Sequence, residues 1–351
     1  IQKDLIVEGQ PDFNFYHRRT ENEDIYFIYN HNLTETETLN CSFLIDGKVP
    51  QLWNAETGEI TKLVEYTTKT GRTDIAIKMH PQESVFVVFK DEKKELSKVN
   101  YEESNTLPKP SFGLDEDNNL EVEVYENGNY KAIVNDSEKW NISVNDIPNA
   151  FEIKDNWEIN FREQDFYKAT LKTDELFDWT THETEQIKHY SGTAIYKTIF
   201  NIEKGFLKSD RQFQINLGEV NVIAKVIVNG KDIGVSWIAP HTLYVTNALK
   251  DGENTLEIQV TNQWTNRLIG DEKLPNQTGY NVKRGSPGFG DSEFRGKFKK
   301  MPEWFRNNQP LPEGPRSTFS AYSFQKPTDK LLPAGLLGPV TISSSKIIKR
   351  K

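Results

Sequence analysis

The sequence predicts an all-β protein of two β-sandwiches. Apolar residues recur with period two over short runs, clusters of Asn, Asp and Gly separate those runs, and no stretch sustains the spacing of an amphipathic helix. At 351 residues the chain is long enough for two domains, each burying a core that needs no crosslink or metal.

Taken in chain order, residues 25–29 and the alternations Leu39-Cys41-Phe43-Ile45, Ile75-Ile77-Met79 and Val85-Val87-Phe89 read as strands of a first sandwich, assigned to residues 1–98. A Lys/Glu-rich run at 91–98, Pro108-Lys109-Pro110 and the polar turn 115–119 then break the pattern. Residues 99–149 are therefore read as a linker with additional strands at 120–124, 130–134 and 140–144. From Trp157 a second all-β unit begins, assigned to residues 150–345, with strands near 193–200, 213–217, 224–228, 243–245, 256–260 and 340–342. Asn229-Gly230 stands where a type I′ turn needs two positive φ angles, so 226–233 is a predicted hairpin. Many short strands spaced by such turns argue for a sandwich or jelly roll. The Gly-, Pro- and Arg/Lys-rich stretch 268–332, including 284–290, reads as a long surface loop.

A formal charge of −9 works against attraction to phosphate backbones or anionic lipid, so no nucleic-acid partner is expected; the basic tail 346–351 reads as a solvated end. No apolar run approaches the length of about 20 residues that spans a bilayer, so no membrane span is expected. The single cysteine excludes an intrachain disulfide, and its alternation with Leu39 and Phe43 places Cys41 in the core. Ile1-Gln2-Lys3-Asp4 lacks an initiator Met and a signal-peptide pattern, and reads as the start of a truncated or processed chain.

No catalytic residue is assigned. The chain has no Gly-x-Ser-x-Gly elbow, His182 and His189 lack metal-ligand spacing, and the Gly-rich run at 284–290 has no Gly-Lys-Ser/Thr ending. Its 52 acidic residues show no pattern that singles out a glycosidase pair. No cofactor is required by the sequence; its oxygen-rich loops are compatible with calcium, but no spacing names a metal site. The aromatics are more informative. A sugar's C–H face packs on an exposed indole while Asn, Asp, Arg or His bond its hydroxyls. Two segments that follow strands combine these types: 234–241, with Trp237 and His241, and 261–271, with Trp264, Asn266, Arg267 and Asp271. These six residues form the candidate carbohydrate site. The plainer alternative has both indoles capping the core and an Arg267–Asp271 pair ordering the loop. Tyr280 and Trp304-Phe305, in the long stretch, are candidates for packing against a neighbouring domain.

Ser191-Gly192-Thr193-Ala194-Ile195-Tyr196, Leu217-Gly218-Glu219-Val220, residues 228–234 and Gly252-Glu253-Asn254-Thr255-Leu256 together resemble the galactose-binding-like domain of family 2 glycoside hydrolases, which implies a jelly roll for the second unit. Asn266-Arg267-Leu268-Ile269-Gly270-Asp271 and residues 332–340 resemble the C-terminal end of glycoside hydrolase family 106, the α-L-rhamnosidases common in Bacteroidetes. Tyr16-His17-Arg18-Arg19-Thr20, Asp24-Ile25-Tyr26-Phe27, Leu52-Trp53-Asn54-Ala55-Glu56-Thr57-Gly58 and residues 84–89 are similar to the sandwich that follows the catalytic barrel in that family. The resemblance implies a carbohydrate partner, a catalytic barrel N-terminal to Ile1 and missing here, and a secreted, extracytoplasmic protein (periplasmic or cell-surface) that degrades plant or pectic polysaccharide. It thus leads to a non-catalytic accessory region of a glycoside hydrolase. The alternatives are an autonomous carbohydrate-binding module and a purely structural pair of sandwiches.

Overall fold

The computed structural model describes residues 2–9, 11–91, 96–102, 107–162, 167–275, 302–312, 314–319 and 325–350. The chain divides into two compact units: residues 1–150 with 206–214 and 343–351, and residues 151–205 with 215–342. The segments 206–214 and 343–345, expected in the second domain, group with the first unit.

In the first unit, one antiparallel sheet orders Leu5–Val7, Glu37–Phe43, Arg72–Met79 and Thr67–Lys69. A second orders Phe13–Arg19, Glu23–Asn30, Ser84–Lys90, Val49–Asn54 and Ile60–Lys62. The period-two alternation puts Leu39, Cys41, Phe43, Ile75, Ile77 and Met79 from the first sheet into one core with Tyr26, Ile28, Val85, Val87 and Phe89 from the second. Phe43 meets Tyr26 and Phe89 edge-on at 4.8 and 5.1 Å between ring centres. Cys41 is buried there, and burial alone pushes its thiol up to about 12, so it behaves as an inert apolar group. A polar cluster ties down the edge: His17 lies between Asp4 (2.7 Å) and Asp24 (3.0 Å), stacks on Tyr26 at 4.1 Å, and Tyr26 donates to Asp4 at 2.7 Å.

Residues 99–149, expected as a linker with extra strands, carry a core of their own. Val99–Tyr101, Gly128–Val134 and Glu138–Val144 form one small sheet. Ser111–Leu114 pairs with Leu120–Val124, whose other edge takes Lys346 to Lys349 in register. Val99, Phe112, Val122, Val124, Tyr130, Val134 and Ile142 fill the space between.

The second unit is built on a six-stranded antiparallel sheet ordered Ala169–Thr173, Trp157–Phe161, Thr193–Ile202, Gly252–Thr261, Ile223–Val228 and Lys231–Ser236. Its inner face buries Ile159, Tyr196, Ala224, Val226, Ile258 and Val260. The Asn229-Gly230 hairpin forms as the sequence predicts, with φ of 51° and 78°, and Val228 opposite Lys231. The Asn229 amide also donates to Ala248 O and Asn254 Oδ1, and its oxygen accepts from Thr255 N. Trp179, Tyr190 and Phe161 make an edge-to-face trio 4.8 to 5.4 Å apart at one end of the core.

Candidate functional site

Register fixes where the candidate residues leave the sheet. Ala224 lies opposite both Ser236 and Val260, and Thr261 lies opposite both Ile223 and Thr193. Trp237 follows Ser236 at the end of the edge strand, and Trp264 comes three residues after Thr261. Both indoles therefore emerge from the same end of one sheet, their strands separated by the single strand Ile223–Val228, or roughly 10 Å at the usual strand spacing. Trp237 is 57% exposed and Trp264 54%, which overturns the expectation that they cap the core. Ile223 and Val235, also exposed, extend the apolar character of this end.

The polar candidates behave differently. His241 is buried, its Nδ1 lies 2.9 Å from Ser236 Oγ, and its carbonyl accepts from Leu217 N at 2.9 Å. Burial holds its imidazole below the ordinary value, so the ring is a neutral clasp on the 236–241 turn. Residues 261–271, read as loop, turn into a helix at Thr265–Glu272. Trp264 occupies its N-cap position with helical dihedrals and no side-chain cap bond, so the usual Ser/Thr/Asp/Asn start signal is absent. Tertiary bonds hold the helix instead. Ser191 Oγ donates to Gln263 O (2.8 Å) and accepts from Arg267 N (3.2 Å), while Asn262 bridges Tyr190 O and Gly192 N.

Asn266 is buried and spends its whole amide on one residue: Nδ2 donates to Leu332 O at 2.7 Å and Oδ1 accepts from Leu332 N at 2.9 Å. Asp271 is buried as well. Its Oδ2 accepts from Ser317 N, Thr318 N and Thr318 Oγ1 at 3.0, 2.7 and 2.6 Å. Its Oδ1 meets Arg267 Nη2 at 3.0 Å one helical turn away, but outside hydrogen-bond geometry, so Oδ1 and Arg267 Nε lack a hydrogen bond among the described residues. The expected Arg267–Asp271 pair is thus present, and Asp271 orders Ser317 and Thr318. His189, which sequence reasoning set aside, packs under the helix: Gly270 leaves no room for a Cβ beside it, and Lys273 Nζ lies 3.2 Å from its Nε2. Ser191 and Asn262 were missed as anchors, although the Ser-Gly pair opening a strand was a usable turn signal. Beneath, Asp178 accepts from Ala334 N, and Tyr196 OH accepts from both Trp179 Nε1 (2.6 Å) and Leu336 N (3.1 Å), docking residues 334–336.

Elsewhere in this unit, the outer face of the six-stranded sheet holds a groove of about 860 Å³. Glu158, Lys197, Ile199, Thr255 and Glu257 line it, and Lys197 pairs with Glu257 at 3.3 Å. Trp304, Phe305 and Phe319 pack on one another at 4.9 to 5.8 Å. Tyr280 and the 284–290 run lie outside the described residues. Among the described residues no group of three His, Cys, Asp or Glu is arranged to hold a metal ion, and no helix is long and apolar enough to cross a membrane.

Comparison with known proteins agrees with the two resemblances. The family model of glycoside hydrolase family 106, alpha-L-rhamnosidase, matches residues 1–68. The glycosyl hydrolase 2 galactose-binding domain-like model matches residues 160–301, which include all six candidate residues. A protein of Formosa agariphila named "Putative beta-glucuronidase" is 42% identical over 201 residues, 57% of this chain and 16% of that protein. A solved rhamnosidase from Novosphingobium sp. PP1Y is similar over 98% of this chain and 25% of its own, with a TM-score of 0.65 and 24% identity, a likeness of fold. The chain therefore spans a quarter or less of the length of these relatives.

Proposed function

From a chain that carries a rhamnosidase-like segment and a galactose-binding-like β-sandwich, we propose a non-catalytic, carbohydrate-binding accessory region of a glycoside hydrolase, of the α-L-rhamnosidase type, acting on plant or pectic polysaccharide outside the cytoplasm. Its catalytic barrel belongs to a part of the protein other than residues 1–351. The observation that carries this reading is the pair Trp237 and Trp264: two large indoles, each more than half exposed, at one end of one sheet, where the apolar cost of exposure is repaid by a ligand with C–H faces. Asn266 and Asp271 hold the backbone of Leu332 and of Ser317 and Thr318, His241 meets the Ser236 hydroxyl, and Arg267 faces the Asp271 carboxylate, so these four side chains order the segments that carry the indoles.

Calorimetric titration of the purified chain with L-rhamnose and rhamnose-containing pectic oligosaccharides, with and without calcium, tests the reading. Saturable binding that Trp264→Ala or Trp237→Ala abolishes, with thermal stability changed by less than about 0.5 kcal/mol as for other exposed positions, is expected. Release of sugar from rhamnosides at an enzyme-like rate by this chain alone would defeat the accessory reading, and clean silence in the titration would defeat the binding one. A structural role is favoured for one part of the site, the Asp271 cluster, by its complete burial and its three bonds to 317–318.

A further inference from the structure

Helix Thr265–Glu272 rests on a buried titratable side chain that the saccharide-binding reading does not use. His189 is 2% exposed and ends the short helix Glu185–Lys188. Gly270 sits directly on it, since a Cβ on that glycine would lie 2.8 Å from His189 Cβ and Cγ. The residues that follow His189 grip the other end of the same helix. The Tyr190 carbonyl accepts from Asn262 Nδ2 and Gly192 N donates to Asn262 Oδ1, while Ser191 Oγ donates to Gln263 O and accepts from Arg267 N. Residues 189–192 thus clasp the chain on both sides of Trp264 and again past the helix end, at Lys273.

Both ring nitrogens of His189 have neighbours of fixed sense. Nδ1 lies 3.0 Å from the Glu185 carbonyl oxygen, which can only accept, so Nδ1 carries the proton. Nε2 lies 3.2 Å from Lys273 Nζ, and an ammonium can only donate, so Nε2 presents its lone pair. These neighbours call for the neutral imidazole. Among the described residues, the charged groups that face it come from two elements. Glu185, on its own helix, brings Oε2 to 3.4 Å from Nδ1, but that carboxylate is 62% exposed and also meets Lys188 and Lys273 at 3.7 and 3.8 Å. Helix Thr265–Glu272 brings two cations, Lys273 at its C-cap and Arg267, which faces Asp271 at 3.0 Å. Burial, helped by the charges on Lys273 and Arg267, outweighs the Glu185 contacts and holds the ring below its ordinary value.

We infer that His189 is a positioning residue for the Trp264 platform and, on the reading of that platform as a saccharide site, makes it release its ligand in acid. A proton taken up at Nε2 replaces a lone pair by an N–H and sets an imidazolium against the Lys273 ammonium, two like charges across 3.2 Å with the ring shut off from water. The contact with Lys273 is lost, and Gly270 leaves the ring no room to turn aside. The displacement passes along 189–192 to Asn262, Gln263 and Arg267, which hold the chain on either side of Trp264. A buried histidine at such a contact responds to pH between about 5 and 8. Because the neutral ring is the favoured form, affinity is complete above about pH 6.5 and is lost as pH falls through the folded value.

Two measurements on the whole chain, each followed from about pH 7.5 to about pH 5, test the inference: calorimetric affinity for rhamnose-containing pectic oligosaccharides, and hydrogen-exchange protection of the Leu268, Lys273 and Leu274 amides. In the parent both should fall together in acid, the affinity by at most about tenfold per pH unit, the limit for one proton. His189→Gln offers Lys273 an acceptor that does not titrate, and should hold its neutral-pH affinity into acid. Lys273→Met removes the opposing cation and should shrink the acid loss. The Lys273 side chain is 40% exposed, so this variant keeps the test decisive should the buried His189 variant fail to fold. Affinity that stays level with pH in the parent overturns the inference, whether or not protection falls. An acid loss of equal size in parent and variants also overturns it, assigning the response to another group such as His241. Silence in the titration at every pH, with protection that falls in acid in the parent and holds in His189→Gln, defeats the saccharide reading alone and leaves His189 as the residue that releases the helix. Silence with protection level at every pH overturns both.

Discussion

The first unit's aromatic row and the second unit's pair of indoles expose similar side chains, but they are positioned by different means. In the row Tyr16, Phe27, Phe86, Trp53, which crosses four neighbouring strands of the first unit's five-stranded sheet, the two central rings point outward because their sequence neighbours, Tyr26 and Ile28 for Phe27 and Val85 and Val87 for Phe86, point inward, and the strand ladder fixes the spacing. At the end of the second unit's sheet, the ladder fixes only the exits at Ser236 and Thr261. Beyond those points His241, Ser191, Asn262 and the Asp271 cluster must do the positioning. A surface set by register tolerates change at any one residue, whereas a surface set by loop bonds rests on a few buried polar groups.

The largest test of that contrast lies under the loops. Gly335 has φ of 104° and a Cβ there would sit 2.5 Å from Nε1 of Trp179, a buried ring already bonded to Tyr196. Gly335→Ala should cost about 3 kcal/mol or more and lower the melting temperature of the second unit, with the first unit's transition unchanged in calorimetry. Asp271→Ala should cost somewhat less, about 2 to 4 kcal/mol, because it removes three hydrogen bonds and leaves Arg267 buried without its carboxylate. Hydrogen exchange should then speed at Ser317 and Thr318, and tight saccharide binding at Trp264 should weaken. Equal exchange in both variants and parent would mean the loop bonds do not position this end.

The smallest expected effect is in the acid response. Burial holds His189 and His241 below the ordinary imidazole value, so their neutral form is favoured in the fold. The stability they contribute is complete above about pH 6.5 and is lost as pH falls through their folded values. In the first unit burial pushes the Asp24 carboxyl up, but bonds from Arg19, Lys48 and His17 outweigh it and hold it below the ordinary carboxylate value. Its contribution is complete above about pH 4 and is lost only below that. Denaturant melts between pH 7 and pH 5 should therefore weaken the second unit first, and His241→Asn should flatten its slope. A first unit that weakens over the same window would remove this difference.

How much of this was legible in the sequence follows the same division. Period-two runs announced the strands, the core cysteine and the Asn229-Gly230 hairpin, because ladder and turn chemistry are local. The outer aromatic row was also written there: Ile25-Tyr26-Phe27-Ile28-Tyr29 and Val85-Phe86-Val87-Val88-Phe89 are apolar at every position, and in an antiparallel sheet that means a second face in use. Only the inward half of that signal was read. The helix at Thr265–Glu272 was not legible, since no cap residue starts it and its anchors, Ser191 and Leu332, lie 76 and 66 positions away from their partners. The core of 99–149 was hidden in the same way, because one of its strands pairs with residues from the far end of the sequence.

That last pairing bears on how the chain is made. Ser345 donates to Glu123 across 222 positions, and Lys346 to Lys349 seal the free edge of Leu120–Val124. On the ribosome, everything needed for the first unit except its closing strand emerges long before that strand does. Until then an apolar strand with an unpaired edge waits in the open, a template for joining another nascent copy. The Lys/Glu-rich flanks and the alternating acids Glu121 and Glu123 are the charges that would hold such copies apart during the delay.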